Sequence, residues 1–199
     1  MHKKLMIFLH GVGSCGDDLL AVGKFWQKLY PDIVIASPNA PEHFMNSPDA
    51  FQWFSILGVT QENRLERIEQ ARPAFDEMMQ RIIEQHHFEN HLDQVFFCGF
   101  SQGTIMALDA VASGRWNIAG VIGFSGRLAT PIQDHLTHKP KILLLHGQDD
   151  QVISVQESQY AAQAFSDAGF ETTFEMFSGL GHTISQIEFE KCFEFLRAQ

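Results

Sequence analysis

Short and almost continuously apolar segments alternate with segments of helical periodicity along the whole chain. Uninterrupted apolar runs are typical of parallel strands that are covered on both faces of a sheet. Five segments have this character: 5–9, 33–36, 95–99, 118–124 and 142–145. Near the C-terminus, Thr172, Phe174 and Met176 instead alternate with polar residues. This alternation predicts a half-exposed strand at the edge of the sheet.

The segments between these strands predict helices. Residues 62–85 form the longest helical pattern, in which Pro73 is expected to kink or split the helix. Its apolar residues at helical spacing are Leu65, Ile68, Phe75, Met79 and Ile82, and an earlier helix behind Asp17 and Asp18 carries Leu19, Val22, Trp26 and Leu29.

Two serines followed by a glutamate three residues later predict capping boxes at helix starts, at Ser154 with Glu157 and at Ser185 with Glu188. The resulting alternation of strand and helix predicts a doubly wound, mostly parallel sheet of about six to seven strands with helices on both faces. Ligands bind such sheets beyond the carboxyl ends of the strands. Functional residues are therefore expected directly after strands.

Composition narrows the range of partners. A chain of 199 residues with 45% hydrophobic content is expected to form one domain over residues 1–199. Its formal net charge of -10, with no basic run, argues against binding to nucleic acid or to an anionic membrane. The apolar run 5–9 is too short for a secretory signal, and no segment is long enough to cross a membrane, so we expect a soluble cytoplasmic protein.

The cysteines and clustered histidines do not indicate a metal site. Cys15, Cys98 and Cys192 are odd in number and lack metal-ligand spacing, which predicts free thiols. The histidines of 86–91 have no carboxylate or cysteine at ligand spacing, and a solvated helix end is the favoured interpretation. No metal or organic cofactor is expected.

The stretch GFSQG places Ser101 between a buried strand and a helix. Glycines permit the sharp turn that lifts such a serine above the sheet as a nucleophile. A serine hydroxyl needs a histidine to accept its proton and a carboxylate to orient that histidine. Asp149 and Asp150 follow a later strand, and among the ten histidines only His182 comes after them. These residues appear in the order that such a sheet requires, each at a strand exit.

The loop after the first strand, LHGVGSCGDD, offers the N–H of Val12 as an oxyanion donor beside that of Gln102. The side chain of Gln102 is expected to matter little. The same loop matches G-x-G-x-x-G, which would indicate a dinucleotide site. The exit of the second strand, however, carries no acidic residue for a ribose hydroxyl, so we favour the oxyanion role.

Several motifs together resemble the phospholipase/carboxylesterase family of α/β-hydrolases. They are FLHGVG, SPNAP, QWFSI, GFSQGTIMAL, GFSGRL, LLLHGQDDQVI and GLGHTIS. The resemblance covers nearly the whole chain and implies a compact α/β-hydrolase that cleaves carboxylic esters or thioesters through an acyl-enzyme, without a cofactor. It implies Ser101 as the nucleophile, His182 as the base and, of the two aspartates, Asp150 as the acid.

The chain departs from the family pattern at two positions, with Ser55 where an aspartate is common and Gln151 where a proline is common. No insertion is long enough for a cap domain, so an open site is expected.

The substrate is expected to be a small-molecule ester or thioester, with an acyl-lipid or an acylated protein as further candidates. Residues 38–58 are rich in large apolar groups. Most of these groups either pack the loop onto the sheet, which is favoured for each of them except Trp53, or form an acyl-binding wall near Ser101. Trp53 and Phe54 are the candidate substrate-binding residues. Residues 126–136 are expected to form the opposite rim. The favoured function is a carboxylesterase, with a lysophospholipase or an acyl-protein thioesterase as alternatives. A non-catalytic binding protein on the same scaffold is disfavoured because the chain retains all three candidate catalytic residues.

Overall fold

The computed structural model describes residues 3–198 and, within them, a six-stranded sheet with helices on both faces. The strands are β1 (Lys4–Leu9), β2 (Ile33–Ala36), β3 (Glu42–His43), β4 (Phe51–Gln52), β5 (Val95–Phe100), β6 (Gly120–Phe124), β7 (Lys141–Gly147) and β8 (Thr172–Phe177). The helices are α1 (Gly16–Leu29), α2 (Arg64–Gln85), α3 (Gln102–Ala112), α4 (Val155–Asp167) and α5 (Gln186–Arg197), with a 3₁₀ turn at Leu92–Gln94.

The sheet has the order β2-β1-β5-β6-β7-β8, and every neighbouring pair is parallel. The doubly wound parallel sheet is therefore confirmed, and β8 lies at an edge as predicted. The short β3 and β4 form a separate antiparallel pair in the connection from β2 to α2, which the sequence pattern did not indicate.

Two apolar layers hold the helices against the sheet. On one face α2, α3 and α4 pack through residues such as Phe75, Met106 and Phe165. On the other face α1 and α5 pack through Trp26 and Phe193. Alternate side chains of the strands point into the two layers, so both faces of the sheet are removed from water. This arrangement fixes the carboxyl ends of the strands at one open edge.

Some details of the helices and strands differ from the sequence pattern. α2 continues through Pro73 as one helix, so Pro73 does not split it, whereas a kink at this position stays a prediction. Leu29, at the last turn of α1, and Met176, near the end of the edge strand, are about half exposed. The apolar pattern of each element therefore extends beyond the part of the element that is buried.

The predicted capping box at the start of α4 is also wrong. Ser154 is the N-cap residue, but its hydroxyl contacts Gln156, and the carboxylate of Glu157 lies 3.4 Å from the guanidinium of Arg127. At α5 the carboxylate of Glu188 does accept the N–H of Ser185, at 2.7 Å, as a capping box requires.

Glu188 is fully buried, and its Oε1 has no hydrogen-bond partner among residues 3–198. Burial raises the pKa of this carboxyl to about 7, against the smaller opposing effect of the bonds from Ser185. The folded protein therefore holds a proton that the unfolded chain releases at lower pH.

We expect the free energy of unfolding to fall by up to roughly 3 kcal/mol from Glu188 alone as pH rises from about 4.5 to above 7. The sign follows because the folded state binds more protons in this window. Urea unfolding across this range should show a shallower decline for Glu188→Gln, which keeps an acceptor but does not titrate. Parallel profiles for the two proteins would contradict the assignment.

Candidate active site

Three strand exits converge at the carboxyl edge of the sheet and bring together the predicted Ser101, Asp150 and His182. Ser101 follows β5, Asp150 follows β7, and His182 lies in the loop after β8. The Nε2 atom of His182 lies 3.0 Å from Ser101 Oγ, and its Nδ1 atom lies 2.7 Å from Asp150 Oδ2. A continuous hydrogen-bonded path thus joins residues that are 32 and 81 positions apart.

The turn at Ser101 depends on the glycines on both sides. Ser101 has φ 53° and ψ -114°, a conformation that non-glycine residues rarely adopt. A Cβ at Gly99 would lie 2.4 Å from the backbone nitrogen of Thr104, and one at Gly103 would lie 1.9 Å from the carbonyl oxygen of Leu9. Only glycine fits at these two positions, so the pattern G-x-S-x-G follows from close backbone packing.

Asp150 is buried and accepts hydrogen bonds on both oxygens. Its Oδ1 accepts the N–H groups of Val152 at 2.8 Å and Ile153 at 2.9 Å, and its Oδ2 accepts His182. Burial acts to raise the pKa of Asp150, but the bonds from His182, Ile153 and Val152 together outweigh it and hold the pKa below its usual value. The carboxylate is therefore ionised and fixed in orientation at neutral pH.

The proton positions follow from these partners. Because Asp150 is an ionised acceptor, Nδ1 of His182 carries a proton and donates it, which leaves Nε2 as the acceptor of the Ser101 hydroxyl. The ring of Phe100 lies 4.9 Å from the imidazole, centroid to centroid, and supports it from one side. His182 is thus oriented as a general base for Ser101.

His146 is a fully buried neighbour of the acid that the sequence analysis did not assign to the site. Its Nε2 lies 2.9 Å from the carbonyl oxygen of Ile153 and 3.2 Å from Asp150 Oδ2, and its Nδ1 lies 2.7 Å from Ser158 Oγ. Two acceptors facing Nε2 require the proton there, and burial lowers the pKa, so the ring is neutral. The four-residue spacing of His146 and Asp150 around the turn was the available sequence signal.

The two backbone N–H groups that the sequence predicts as oxyanion donors are those of Gln102 and Val12. Gln102 begins α3, where the N–H has no acceptor in the preceding turn, and Val12 lies in the loop after β1. Neither N–H is paired with another residue in the described range 3–198. The predicted donors therefore remain available beside Ser101.

His10 connects the loop that carries Val12 to two other segments of the chain. Its Nδ1 lies 2.7 Å from the carbonyl oxygen of Gly11, and its Nε2 accepts the N–H of Ala40 at 2.9 Å. The indole N–H of Trp53 donates to the carbonyl oxygen of His10 at 2.8 Å. Burial lowers the pKa of His10, so the ring is neutral and acts as a fixed bridge between segments.

The side chain of Gln102 is more important than the sequence analysis expected. Its Oε1 accepts the backbone N–H of Trp53 at 2.8 Å, and its Nε2 donates to the carbonyl oxygen of Phe54 at 2.7 Å. Both bonds are buried and join α3 to a segment almost 50 residues earlier. The expectation that Gln102 matters mainly through its backbone left these contacts out, because nothing local in the sequence indicates where these partners lie.

Trp53 and Phe54 are almost completely buried and pack into the core beside α2 and α3. Their proposed contact with substrate stays a prediction. The open surface of this segment belongs to their neighbours, which form an apolar groove of about 350 Å³ lined by Phe44, Met45, Gln52, Ser55, Ile56 and Leu57. The ring of Phe44 lies beside Gly13, so the groove adjoins the Val12 loop.

The glycines of the G-x-G-x-x-G match have structural roles. A Cβ at Gly16 would lie 2.1 Å from the carbonyl oxygen of Ser37, so only glycine lets α1 start this close to the exit of β2. The N–H of Gly16 is already bonded to Asn39 Oδ1 at 2.7 Å. The first helical N–H that a dinucleotide phosphate would use is therefore occupied, which disfavours that alternative.

Other features of the described residues add no competing site. No group of three or more His, Cys, Asp or Glu side chains in residues 3–198 is arranged to hold a metal ion. None of the helices in that range has the length and apolar character needed to span a membrane. Cys98 and Cys192 are buried free thiols, whose pKa values are raised by burial.

Comparisons with known proteins agree with this fold. A family model described as phospholipase/carboxylesterase matches residues 1–199. Esterase YpfH of Escherichia coli K12 is 30% identical over 195 residues, which cover 98% of this chain and 82% of the relative. Acyl-protein thioesterase 1 of Candida albicans is 26% identical, covering 98% and 91%. The crystal structure of esterase PE8 superposes with a TM-score of 0.88 at 32% identity, covering 99% and 93%.

We expect Gln102→Ala to lower the free energy of unfolding by roughly 2–4 kcal/mol, because it leaves a buried N–H and a buried carbonyl without partners. The melting temperature should fall by roughly 4–12 °C in a scan of the purified protein. The matched control is Gln163→Ala on α4, where the amide bonds only the exposed Asp167. We call the two buried hydrogen bonds from Gln102 to Trp53 and Phe54 the Gln102 clamp. Equal, small shifts in melting temperature for the two variants would argue against a stabilising role of this clamp.

Proposed function

Because the chain belongs to the phospholipase/carboxylesterase family, we propose that it hydrolyses its substrates through an acyl-enzyme formed on Ser101. It is a carboxylic ester hydrolase that acts on ester or thioester bonds, as the names of its relatives, esterase and acyl-protein thioesterase, indicate. The hydrogen-bonded path from Ser101 through His182 to Asp150 is the observation that carries the proposed mechanism.

In the first half of the reaction, Nε2 of His182 takes the hydroxyl proton while Ser101 Oγ attacks the substrate carbonyl carbon. The imidazolium that forms is stabilised by Asp150, which already accepts its Nδ1 proton. The same ring then gives the proton from Nε2 to the leaving alcohol or thiol. The carbon–oxygen or carbon–sulfur bond breaks, and the acyl group remains on Ser101.

The tetrahedral intermediate carries a negative charge on the former carbonyl oxygen. The N–H groups of Val12 and Gln102 are its proposed donors, because both are unpaired within the described chain; Gln102 directly follows Ser101 at the start of α3, and Val12 lies in the loop after β1. Removal of one such donor in comparable enzymes costs about 100- to 1000-fold in rate. His10 and the Gln102 side chain support these donors by fixing the loops that carry them.

In the second half, water replaces the leaving group. His182 takes a proton from the water molecule, the resulting hydroxide equivalent attacks the acyl carbon, and the proton returns to Ser101 Oγ as the acid leaves. Each proton in this cycle moves through Nε2 of His182, so the protein needs no other acid or base. Asp150 stays ionised throughout, consistent with its lowered pKa.

The groove of residues 44–57 is the proposed binding site for the acyl chain. It adjoins the oxyanion loop through Phe44, and its outer rim carries the strongly exposed Met45 and Leu57. An exposed apolar rim is more stable when an aliphatic chain covers it. The groove favours acyl groups longer than acetyl, which keeps the lysophospholipase and acyl-protein thioesterase alternatives within the same mechanism.

We expect a fluorophosphonate probe to label the wild-type protein and not Ser101→Ala, measured by gel fluorescence and by intact mass. Ser125→Ala is the matched control. Ser125 follows the same Gly-Phe pair on the adjacent strand and also has a positive φ of 47°, but it is fully buried. Ser125→Ala should label normally. Labelling that persists in Ser101→Ala, or no labelling of the wild type, would refute the proposed nucleophile.

We expect Leu57→Ser to reduce kcat/KM for a long-chain nitrophenyl ester by about fivefold and to leave the acetate ester unchanged, since the lost apolar contact is worth about 1 kcal/mol. The control is Leu29→Ser, which changes another exposed leucine at the opposite edge of the sheet. The acyl groove would be excluded if both variants had the same chain-length profile as the wild type.

A further inference from the structure

A second cleft, of about 450 Å³ and mostly polar, opens between α2, α4 and the loop after β6. Its charged groups are Arg64, Arg127 and Glu157, accompanied by Gln61 and Tyr160. None of these residues takes part in the proposed catalytic steps. The cleft is distinct from the apolar groove of residues 44–57, with which it shares no lining residue.

Two of the segments that line this cleft follow β6 and β7, and so start at the edge of the sheet where the candidate catalytic residues lie. Arg127 follows Phe124 by three residues, and the carbonyl oxygen of Phe124 accepts the N–H of Ser101 at 2.9 Å. Three residues span at most about 11 Å, so the Arg127 backbone lies near the nucleophile. Glu157 lies in the first turn of α4, shortly after Asp150.

The third wall, the start of α2, is also tied to the site. Arg67 donates to the carbonyl oxygen of Ser55 at 3.1 Å, and the preceding residue, Phe54, accepts the side chain of Gln102 at 2.7 Å. Arg64 lies one turn before Arg67 on the same helix. The start of α2 is therefore connected to the Ser101 turn through the segment that Gln102 holds.

Positive charge in this cleft is only partly compensated. Arg127 lies 3.4 Å from Glu157, whereas Arg64 makes no hydrogen bond or ion pair with any residue from 3 to 198. Arg64 and Arg127 line the same cleft, and the pKa of Arg64 is lowered first by burial and next by the positive charge of Arg127, against smaller opposing effects of Glu157 and Glu62. A half-buried arginine facing another arginine is stabilised by an anion placed between them.

We propose that this cleft binds a free carboxylate on the substrate, so that the enzyme prefers esters whose acyl or alcohol part carries an acid group. Guanidinium groups bind carboxylates through two parallel hydrogen bonds, and Arg64 has all of its donors free for this purpose. The proposal rests on the proposed function, because it assigns substrate specificity to the same Ser101 site.

The charge of the cleft favours a carboxylate over a phosphate. Among the lining residues, two arginines and Glu157 leave a net charge of one, which matches a singly charged group better than a dianion. The chain as a whole has a formal net charge of -10, so an anionic substrate gains no general attraction from the protein surface. The attraction for an anionic substrate therefore has to come from a local pair of arginines, Arg64 and Arg127.

The test compares esters matched in length. Monomethyl succinate, glutarate and adipate are compared with methyl butyrate, pentanoate and hexanoate, and acetate esters of hydroxy acids with acetate esters of simple alcohols. Acid release is followed in a pH-stat. We expect the wild type to have a higher kcat/KM for the acidic member in at least one series, with a preference that decreases at high salt.

Substitutions in the cleft test whether the preference for acidic esters depends on its arginines. Arg64→Gln and Arg127→Gln should each reduce the acidic-over-neutral ratio by about tenfold or more, with the neutral ester little affected. Glu157→Gln should increase the ratio, because it removes the competing carboxylate from Arg127. Arg81→Gln is the matched control, since Arg81 lies on the same helix but is exposed and paired with Glu77. Melting temperatures verify that each variant is folded.

The outcomes separate the two proposals. Hydrolysis of neutral esters without any acidic preference, or a preference unchanged in both arginine variants, would overturn the carboxylate site and leave the Ser101 mechanism intact. Calorimetric titration of succinate and of inorganic phosphate into Ser101→Ala measures the cleft without catalysis. Succinate binding that is lost in the Arg64 and Arg127 variants supports the proposal, whereas binding of phosphate alone overturns the carboxylate assignment.

Discussion

The contact between Gly103 and the carbonyl oxygen of Leu9 is the constraint on which the site depends. The space for a Cβ at Gly103 is already taken by that oxygen, so the first turn of α3 lies directly on the end of β1. This approach brings the start of α3, with the N–H of Gln102, to the end of β1, from which the loop with the N–H of Val12 continues. Ser101, two residues before Gly103, has a positive φ in the same turn. Close backbone packing therefore determines where the candidate nucleophile lies relative to β1.

Burial and hydrogen-bond partners give three histidines different roles. His10 and His146 are fully buried, each bridges backbone or side-chain groups, and burial lowers both pKa values, so they remain neutral structural elements. His182 keeps one edge toward the site and pairs with an ionised carboxylate, which suits a base that must gain and lose a proton. Asp150 lies between two imidazoles and two backbone N–H groups, so its orientation is determined from four directions.

The two proposed recognition clefts differ in their chemistry. The groove of residues 44–57 is apolar and open, and it can cover an aliphatic chain. The cleft with Arg64 and Arg127 is polar and carries net positive charge within an acidic protein. Glu157 lies both in this cleft and in the first turn of α4. Its carboxylate contacts Arg127 and does not form a capping box with Ser154.

The sequence by itself determined the parallel sheet, the edge strand and the order of the three candidate catalytic residues, because apolar periodicity and strand exits are local properties. It did not determine contacts between segments far apart in the chain. The Gln102 clamp on Trp53 and Phe54, the contact of His146 with Asp150 and the pairing of Glu157 with Arg127 exist only once the helices pack. Local pattern specifies which face of an element is buried, whereas the partner of a polar side chain is decided by tertiary packing.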